Sequence, residues 1–183
     1  MCDAEALREV MKALYQKGLI TVLSGNASVR CGEGFLITPS GVPKNKISEL
    51  AYVDLKTLEW SGPKPSIEYR MHALVYRETG AGAVVHAHNP KAVLAAQLGL
   101  ELDPSKYVET RYAMRRVATV PELEAGSLEL AEAVGKVSRD ADVIVLKGHG
   151  AIAWAEDPYK ALNKLEALEY LAELSILERS LKR

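Results

Sequence analysis

The spacing of apolar positions changes several times along this 183-residue chain, and each change predicts a different secondary-structure element. Between residues 3 and 17, apolar side chains recur every three or four positions, which predicts an amphipathic helix that ends at Gly18. Asp157-Pro158 has the composition of a helix start, with an N-cap followed by proline. This start predicts a long terminal helix that opens at Asp157. Three further helices are predicted over residues 67–78, 90–98 and 127–138.

Short apolar runs between these helices favour β-strands, because they are rich in β-branched residues or alternate with polar ones. The predicted strands are residues 27–31, 35–38, 52–55, 82–88, 116–120, 142–146 and 151–154. Glycines separate the first two and the last two strands, so each pair is expected to form a hairpin. Residues 100–113 show no clear periodicity and are expected to be irregular. With no repeat or linker, residues 1–183 are predicted to form a single α/β domain.

Composition and charge exclude several classes of function. Apolar residues make up 48% of the chain, which argues against disorder, and a net charge of −1 without a basic run argues against nucleic-acid binding. No apolar run approaches the roughly 18–20 residues of a membrane span, so no membrane association is expected. The opening MCDAEALREV lacks the apolar core of a signal peptide. Cys2 and Cys31 show no CxxC spacing and indicate no disulfide framework, which favours a reduced, cytoplasmic protein.

The stretch AVVHAHNP places two histidines two residues apart at the end of an apolar run. Since alternate residues of a strand point to one face, His86 and His88 are expected to project side by side. His149 lies between glycines at the end of another apolar strand, VIVLKGHG. Three neutral imidazoles with an open fourth position are typical of a catalytic divalent metal site. Three unrelated histidines in the core are the alternative, and their separation along the chain does not decide between the two.

Polar residues that precede the second predicted helix are further candidates for chemistry. Glu68, in KPSIEYRMH, is either a first-turn acid favoured by the helix dipole or a catalytic base near a metal, with Ser66 as the N-cap. His72 lies four residues on, and a structural role is favoured for it. The stretches SGNAS and TPSG can expose backbone N–H groups to an anion, although ordinary turns have the same composition.

Taken together, these segments have the order and spacing of a known family. SGNASVR, FLITPSG, PSIEYRMH, AVVHAH and VLKGHGAIAW follow one another along the chain, which thereby resembles the class II aldolase/adducin family from about Gly18 to the terminal helix. The resemblance implies a central, mostly antiparallel β-sheet flanked by α-helices on both faces. It also implies a zinc-dependent aldolase that cleaves a ketose 1-phosphate, of the L-fuculose 1-phosphate type, to dihydroxyacetone phosphate and a short aldehyde through a metal-stabilised enediolate.

The resemblance also implies roles for individual residues. The zinc ligands would be His86, His88 and His149, and Glu68 would be the catalytic acid/base. The positions expected to hold the substrate phosphate are Gly25, Asn26, Ser40, Gly41 and Ser66. Tyr107 would reach the active site of a neighbouring subunit, in a homotetramer whose sites lie between subunits. The chain departs from the aldolase motif at Ile67, where a second serine is common.

Three other functions are compatible with the same resemblance. A ribulose-5-phosphate 4-epimerase would use the same metal chemistry, but that branch typically has Asp at the position of Glu68. A methylthioribulose-1-phosphate dehydratase is a second enzymatic alternative. An adducin-like protein-interaction module is the alternative that is not an enzyme, and such a module would not need the three histidines.

Overall fold

A single eight-stranded sheet lies at the centre of the fold in the computed structural model, which describes residues 2–182. The strands are β1 Asn26–Cys31, β2 Gly34–Ile37, β3 Ala51–Asp54, β4 Trp60–Ser61, β5 Ala83–Ala87, β6 Val117–Val120, β7 Val143–Leu146 and β8 Gly150–Ala155. Their order across the sheet is β4-β3-β2-β1-β5-β8-β7-β6. Within the described range β6 and β7 form the one parallel pair, and both predicted hairpins are present.

Helices cover both faces of this sheet. They are α1 Ala4–Gln16, α2 Tyr69–Thr79, α3 Pro90–Gln97, α4 Val108–Ala113, α5 Leu128–Ser138 and α6 Pro158–Leu181. Buried side chains of α1, α3 and α6 pack on one face, and those of α2 and α5 pack on the other. The predicted fold class, a mostly antiparallel sheet between two helical layers, is therefore confirmed. The predicted domain spans residues 1–183, of which the first and the last lie outside the described residues.

Strand β5 occupies the middle of the sheet and is buried along its whole length, between β1 on one side and β8 on the other. Its side chains alternate between the two helical layers. Val85 and Ala87 contact the core under α6, whereas Val84 contacts the core under α2. Strand periodicity places His86 on the same side as Val84, so it faces the α2 layer.

The structure moves two predicted boundaries and adds one helix. Helix α2 begins at Tyr69, with Glu68 rather than Ser66 at the N-cap, because a bridge between Pro39 and Pro65 holds the preceding residues extended. Strand β3 ends at Asp54, whose carboxylate accepts two backbone N–H groups and starts a turn. Helix α4 lies within the segment predicted to be irregular, and it exposes the apolar residues that would have marked its buried face.

The prediction of no disulfide was wrong. Cys2 and Cys31 form a disulfide, with Cα atoms 5.0 Å apart, that joins the segment before α1 to the end of β1. The two cysteines are 29 residues apart in the sequence, and only the packing of α1 on the sheet brings them together. A cytoplasmic location stays a prediction, and its argument from unpaired cysteines is lost. Within residues 2–182, no helix combines the length and apolar character that crossing a membrane requires.

Reduction of the Cys2–Cys31 disulfide is expected to lower the free energy of unfolding by about 2–4 kcal/mol, because the cross-link restricts the unfolded chain. Thermal unfolding followed by circular dichroism should then show a melting temperature roughly 5–15 °C lower with reductant than without. The Cys31→Ser variant serves as the control, since reductant should not change its melting curve. Two titratable thiols in the unreduced native protein would contradict the pairing.

Candidate active site

Three histidines that are far apart in the sequence converge at one end of β5. The ring centroids of His86 and His88 are 5.2 Å apart, those of His86 and His149 are 4.8 Å apart, and those of His88 and His149 are 5.2 Å apart. Each ring offers a nitrogen within 4.8 Å of those of the other two. The alternative of three unrelated core histidines is therefore wrong.

The strands hold these three rings in different ways. His86 lies within β5, and its Nδ1–H donates to the carbonyl oxygen of Ala151 on β8 at 2.9 Å, so that Nε2 is the ring nitrogen free of this contact. His88 follows β5, and its backbone N–H donates to the Leu19 carbonyl oxygen at 2.9 Å. His149 lies in the turn between β7 and β8, beside Gly150, where a Cβ atom would come within 2.2 Å of the Ala87 carbonyl oxygen. That close approach explains why a glycine follows His149.

A carboxylate faces the same cluster. Glu68 stands at the N-cap of α2, with its Oε2 3.2 Å from Nε2 of His86 and its Oε1 3.5 Å from Nε2 of His149. Burial raises the pKa of the Glu68 carboxyl, but attraction to His86 and His149 and a hydrogen bond from Asn26 outweigh it. The pKa of Glu68 therefore lies below its ordinary value, and the group is ionised at neutral pH.

The donor set fits a divalent cation. Nε2 of His86, Nδ1 of His149 and Oε1 of Glu68 are buried, and none of them has a hydrogen-bond partner among the described residues. Burial lowers the pKa of His88 to about 4 and also lowers that of His149, so both rings are neutral at pH 7. Neutral imidazoles are the form that coordinates metals, and a cluster of imidazoles is typical of a zinc site.

A buried chain of hydrogen bonds orients Glu68. The Asn26 side-chain amide donates to Glu68 Oε2 at 2.8 Å, and Asn26 Oδ1 accepts from Nε2 of His72 at 2.6 Å. Nδ1 of the same ring then accepts from the Ser28 hydroxyl at 2.7 Å, and Ser28 also contacts the Tyr76 hydroxyl at 2.8 Å. Burial lowers the pKa of His72 to about 3, so the ring stays neutral. His72 is therefore a positioning residue, as the sequence favoured.

A cavity of about 250 Å³ opens beside Glu68 and two of the histidines. Its walls are formed by Leu23, Ser24, Gly25, Asn26, Ser40, Gly41, Lys44, Ser66, Ile67, Glu68, His88, Ala125 and His149. All five residues predicted to hold a phosphate are in this set. Sequence reasoning missed Lys44, whose position three residues after the TPSG stretch was the available signal.

Tyr107 is the predicted site residue that the structure does not bring to this cavity. Its ring is half-buried against Tyr170 of α6, with centroids 6.2 Å apart. It does not line the cavity of its own chain. A role for Tyr107 therefore depends on a second copy of the protein.

Comparison with known proteins agrees with this geometry. The family model for the class II aldolase and adducin N-terminal domain matches residues 5–176. The chain belongs to this family, and it is an enzyme of the class II aldolase type, for which lyase activity is expected. Metal dependence is general in that family, and the three-histidine cluster could hold the ion.

Individual relatives span nearly the whole chain. L-fuculose phosphate aldolase of Methanocaldococcus jannaschii is 30% identical over 184 residues, which cover 99% of this chain and 99% of that protein. Methylthioribulose-1-phosphate dehydratase of a Sulfurihydrogenibium species is 29% identical and covers 92% of this chain and 86% of that protein. The crystal structure of L-fuculose-1-phosphate aldolase from Thermus thermophilus has a TM-score of 0.86 at 34% identity, covering 97% of this chain and 94% of that one.

The site is expected to bind about one Zn²⁺ per chain, because each of the three imidazoles offers a nitrogen within 4.8 Å of those of the other two. His88→Ala should weaken zinc binding by more than about 100-fold, since loss of a direct ligand exceeds the usual effect of an outer residue. Zinc content after dialysis, measured by atomic absorption, checks this. The matched control is Lys147→Ala, which changes an exposed residue outside the histidine cluster and should keep its zinc. Equal zinc content in His88→Ala and the unmodified protein would contradict the assignment.

Proposed function

We propose that this protein is a zinc-dependent aldolase that reversibly cleaves a ketose 1-phosphate, of the L-fuculose 1-phosphate type, to dihydroxyacetone phosphate and a short aldehyde such as L-lactaldehyde. One observation carries the proposal: the ionised carboxylate of Glu68 and two histidines of the cluster line the same cavity as glycine- and serine-bearing loops. Relatives that bear this activity in their names match the chain over nearly its full length.

At one side of the cavity, His86, His88 and His149 would hold the zinc ion. The chemistry that a divalent metal supplies when bound is Lewis-acid stabilisation of the charge that develops as a C–C bond next to a carbonyl breaks. This route needs no lysine nucleophile. The lining of the cavity is consistent with this route, because it contains two of the histidines and Glu68, and its one lysine, Lys44, comes from a polar loop.

Glu68 is the group that would move protons. Its carboxylate is ionised, buried and fixed by Asn26, so it can act as a base without rearranging first. In the direction of synthesis it would take a proton from the carbon of dihydroxyacetone phosphate that attacks the aldehyde. In the direction of cleavage it would return that proton. The chain of hydrogen bonds through His72 keeps the carboxylate in place during both steps.

The substrate phosphate would lie against the loops that line this cavity. Gly25, Gly41, Ser40 and Ser66 belong to loops there, and Asn26 stands where these loops meet Glu68. Gly25 has a φ of +72°, and a Cβ atom at that position would come within 2.5 Å of the Ile20 side chain. A larger residue would therefore distort the loop that is expected to hold the phosphate.

We also propose that the active enzyme is a homotetramer in which Tyr107 reaches the cavity of a neighbouring subunit. Tyr107 stands at the N-cap of α4, which exposes Val108 and Tyr112. Apolar residues that are this exposed favour contact with another chain. The tyrosine would exchange a proton with the oxygen that belongs to the aldehyde.

A methylthioribulose-1-phosphate dehydratase is the second candidate, because a relative with that name is 29% identical over nearly the same length. Dehydration also starts with removal of a proton next to a carbonyl, so it could use Glu68 in the same way. The two functions differ in what leaves the substrate: an aldehyde in one and water in the other. The epimerase is less favoured because the acid of this chain is Glu68 rather than Asp.

The assay that tests the proposal incubates the protein with dihydroxyacetone phosphate and a panel of short aldehydes, with and without a chelator. Carbon–carbon bond formation that the chelator abolishes is expected. Glu68→Gln should keep its zinc but slow proton exchange at dihydroxyacetone phosphate by about 10²–10⁴-fold, the usual contribution of a general base. Loss of water from methylthioribulose 1-phosphate, with no aldol product from any aldehyde, would favour the dehydratase instead.

Tyr107→Phe is expected to reduce aldol turnover or stereoselectivity while leaving the fold intact, because it removes only a hydroxyl group. Product formation and its stereochemistry, measured by chromatography, check this. Tyr15→Phe on α1 is the control, since Tyr15 is 40% exposed and remote from the cavity lining. Unchanged turnover and stereochemistry in Tyr107→Phe would remove this residue from the site.

A further inference from the structure

The cavity contains a buried lysine that the reaction described above does not use. Lys44 lies in the loop between β2 and β3 and is only 3% exposed, yet it lines the cavity beside Ser40, Gly41 and Ser66. It is the one Lys or Arg among the cavity-lining residues of the described chain.

The protein leaves most of the binding capacity of Lys44 unused. Its ammonium group has three N–H donors, and the Pro39 carbonyl oxygen accepts one of them. No carboxylate forms an ion pair with it, since the ion pairs found within residues 2–182 involve other lysines and arginines. A neutral donor would satisfy the Pro39 carbonyl group equally well, so this hydrogen bond does not explain why the residue carries a charge.

Such a buried cation is costly without an anion. Removing an ammonium group from water is unfavourable unless a negative charge compensates for it, and burial lowers the pKa of Lys44 in this structure. A backbone hydrogen bond of 2.7 Å from the Lys44 N–H to the Val22 carbonyl oxygen ties its loop to the segment before Gly25. No carboxylate within residues 2–182 pairs with Lys44, so an anion bound in the cavity is the partner that would compensate for its charge.

We propose that Lys44 supplies the counter-charge for the phosphate group of the substrate and makes the cavity selective for phosphate monoesters over their unphosphorylated analogues. This inference rests on the proposed function, because it assumes that the cavity takes a sugar phosphate. The neighbouring hydroxyl groups of Ser40 and Ser66 can then donate to the same anion while Lys44 neutralises its charge. Lys44 thereby becomes a specificity-determining residue, and Glu68 keeps the proton chemistry.

The test compares Lys44→Gln with the unmodified protein, both loaded with Zn²⁺ and freed of excess metal. Glutamine keeps a donor for the Pro39 carbonyl group but removes the charge. Calorimetric titration with inorganic phosphate should show affinity reduced by about 10- to 100-fold, the effect of losing a charge-assisted contact. The KM for dihydroxyacetone phosphate should rise by a similar factor, whereas kcat/KM for unphosphorylated dihydroxyacetone should stay the same.

Two further variants make the result decisive. Lys46→Met removes an exposed lysine two residues away and should bind phosphate normally. Lys44→Arg keeps the charge and should restore most of the affinity. If Lys44→Gln does not fold, as judged by circular dichroism and zinc content, Lys44→Met is measured in its place.

The outcomes separate this inference from the proposed function. Phosphate affinity that is unchanged in Lys44→Gln, with aldol activity intact, would overturn the role of Lys44 and leave the aldolase assignment in place. Equal losses for dihydroxyacetone phosphate and dihydroxyacetone would indicate a purely structural lysine and would also overturn the inference. No binding of phosphate by the unmodified protein, together with no aldol product, would reject the sugar-phosphate function itself.

Discussion

The ionised carboxylate of Glu68, held against a group of imidazoles inside the protein, is the interaction on which the site depends. A buried charge is tolerated only when its surroundings compensate for it, so the neighbouring elements must be placed accurately. Strand β1 pairs Asn26 with His86, which brings the amide that holds Glu68 next to the first histidine. The β7–β8 turn brings His149 from the other side, and Gly150 allows the close approach that this requires.

The loop after β2 and the segment before α2 both line the cavity, and their backbones are in direct contact. The bridge between Pro39 and Pro65 ties the loop after β2 to the residues before α2. Ser40 and Lys44 therefore lie in a loop that is joined to the segment leading to Glu68. A substrate in the cavity would be fixed at its phosphate by the loop and would react near Glu68, which is how binding energy can be used for orientation.

Much of this arrangement was predictable from local patterns. The helices were recognisable because one face of each is buried, which produces a regular spacing of apolar residues, and the β7–β8 hairpin was recognisable as two continuous apolar runs separated by glycines. The prediction that the His86 and His88 side chains lie next to each other followed from strand periodicity. The errors lie where local pattern carries no information: α4 exposes its apolar side chains, and the start of α2 is set by a bridge to a distant loop.

By itself, the sequence determined which residues could do chemistry and which elements would carry them, because residue type and periodicity are local properties. The tertiary structure alone decided that His149 joins the other two histidines, that Asn26 and His72 support Glu68, and that Cys2 reaches Cys31. It also decided that Lys44 is buried without an anionic partner. Each of these facts depends on residues far apart along the chain, and only the order and register of the sheet bring them into contact.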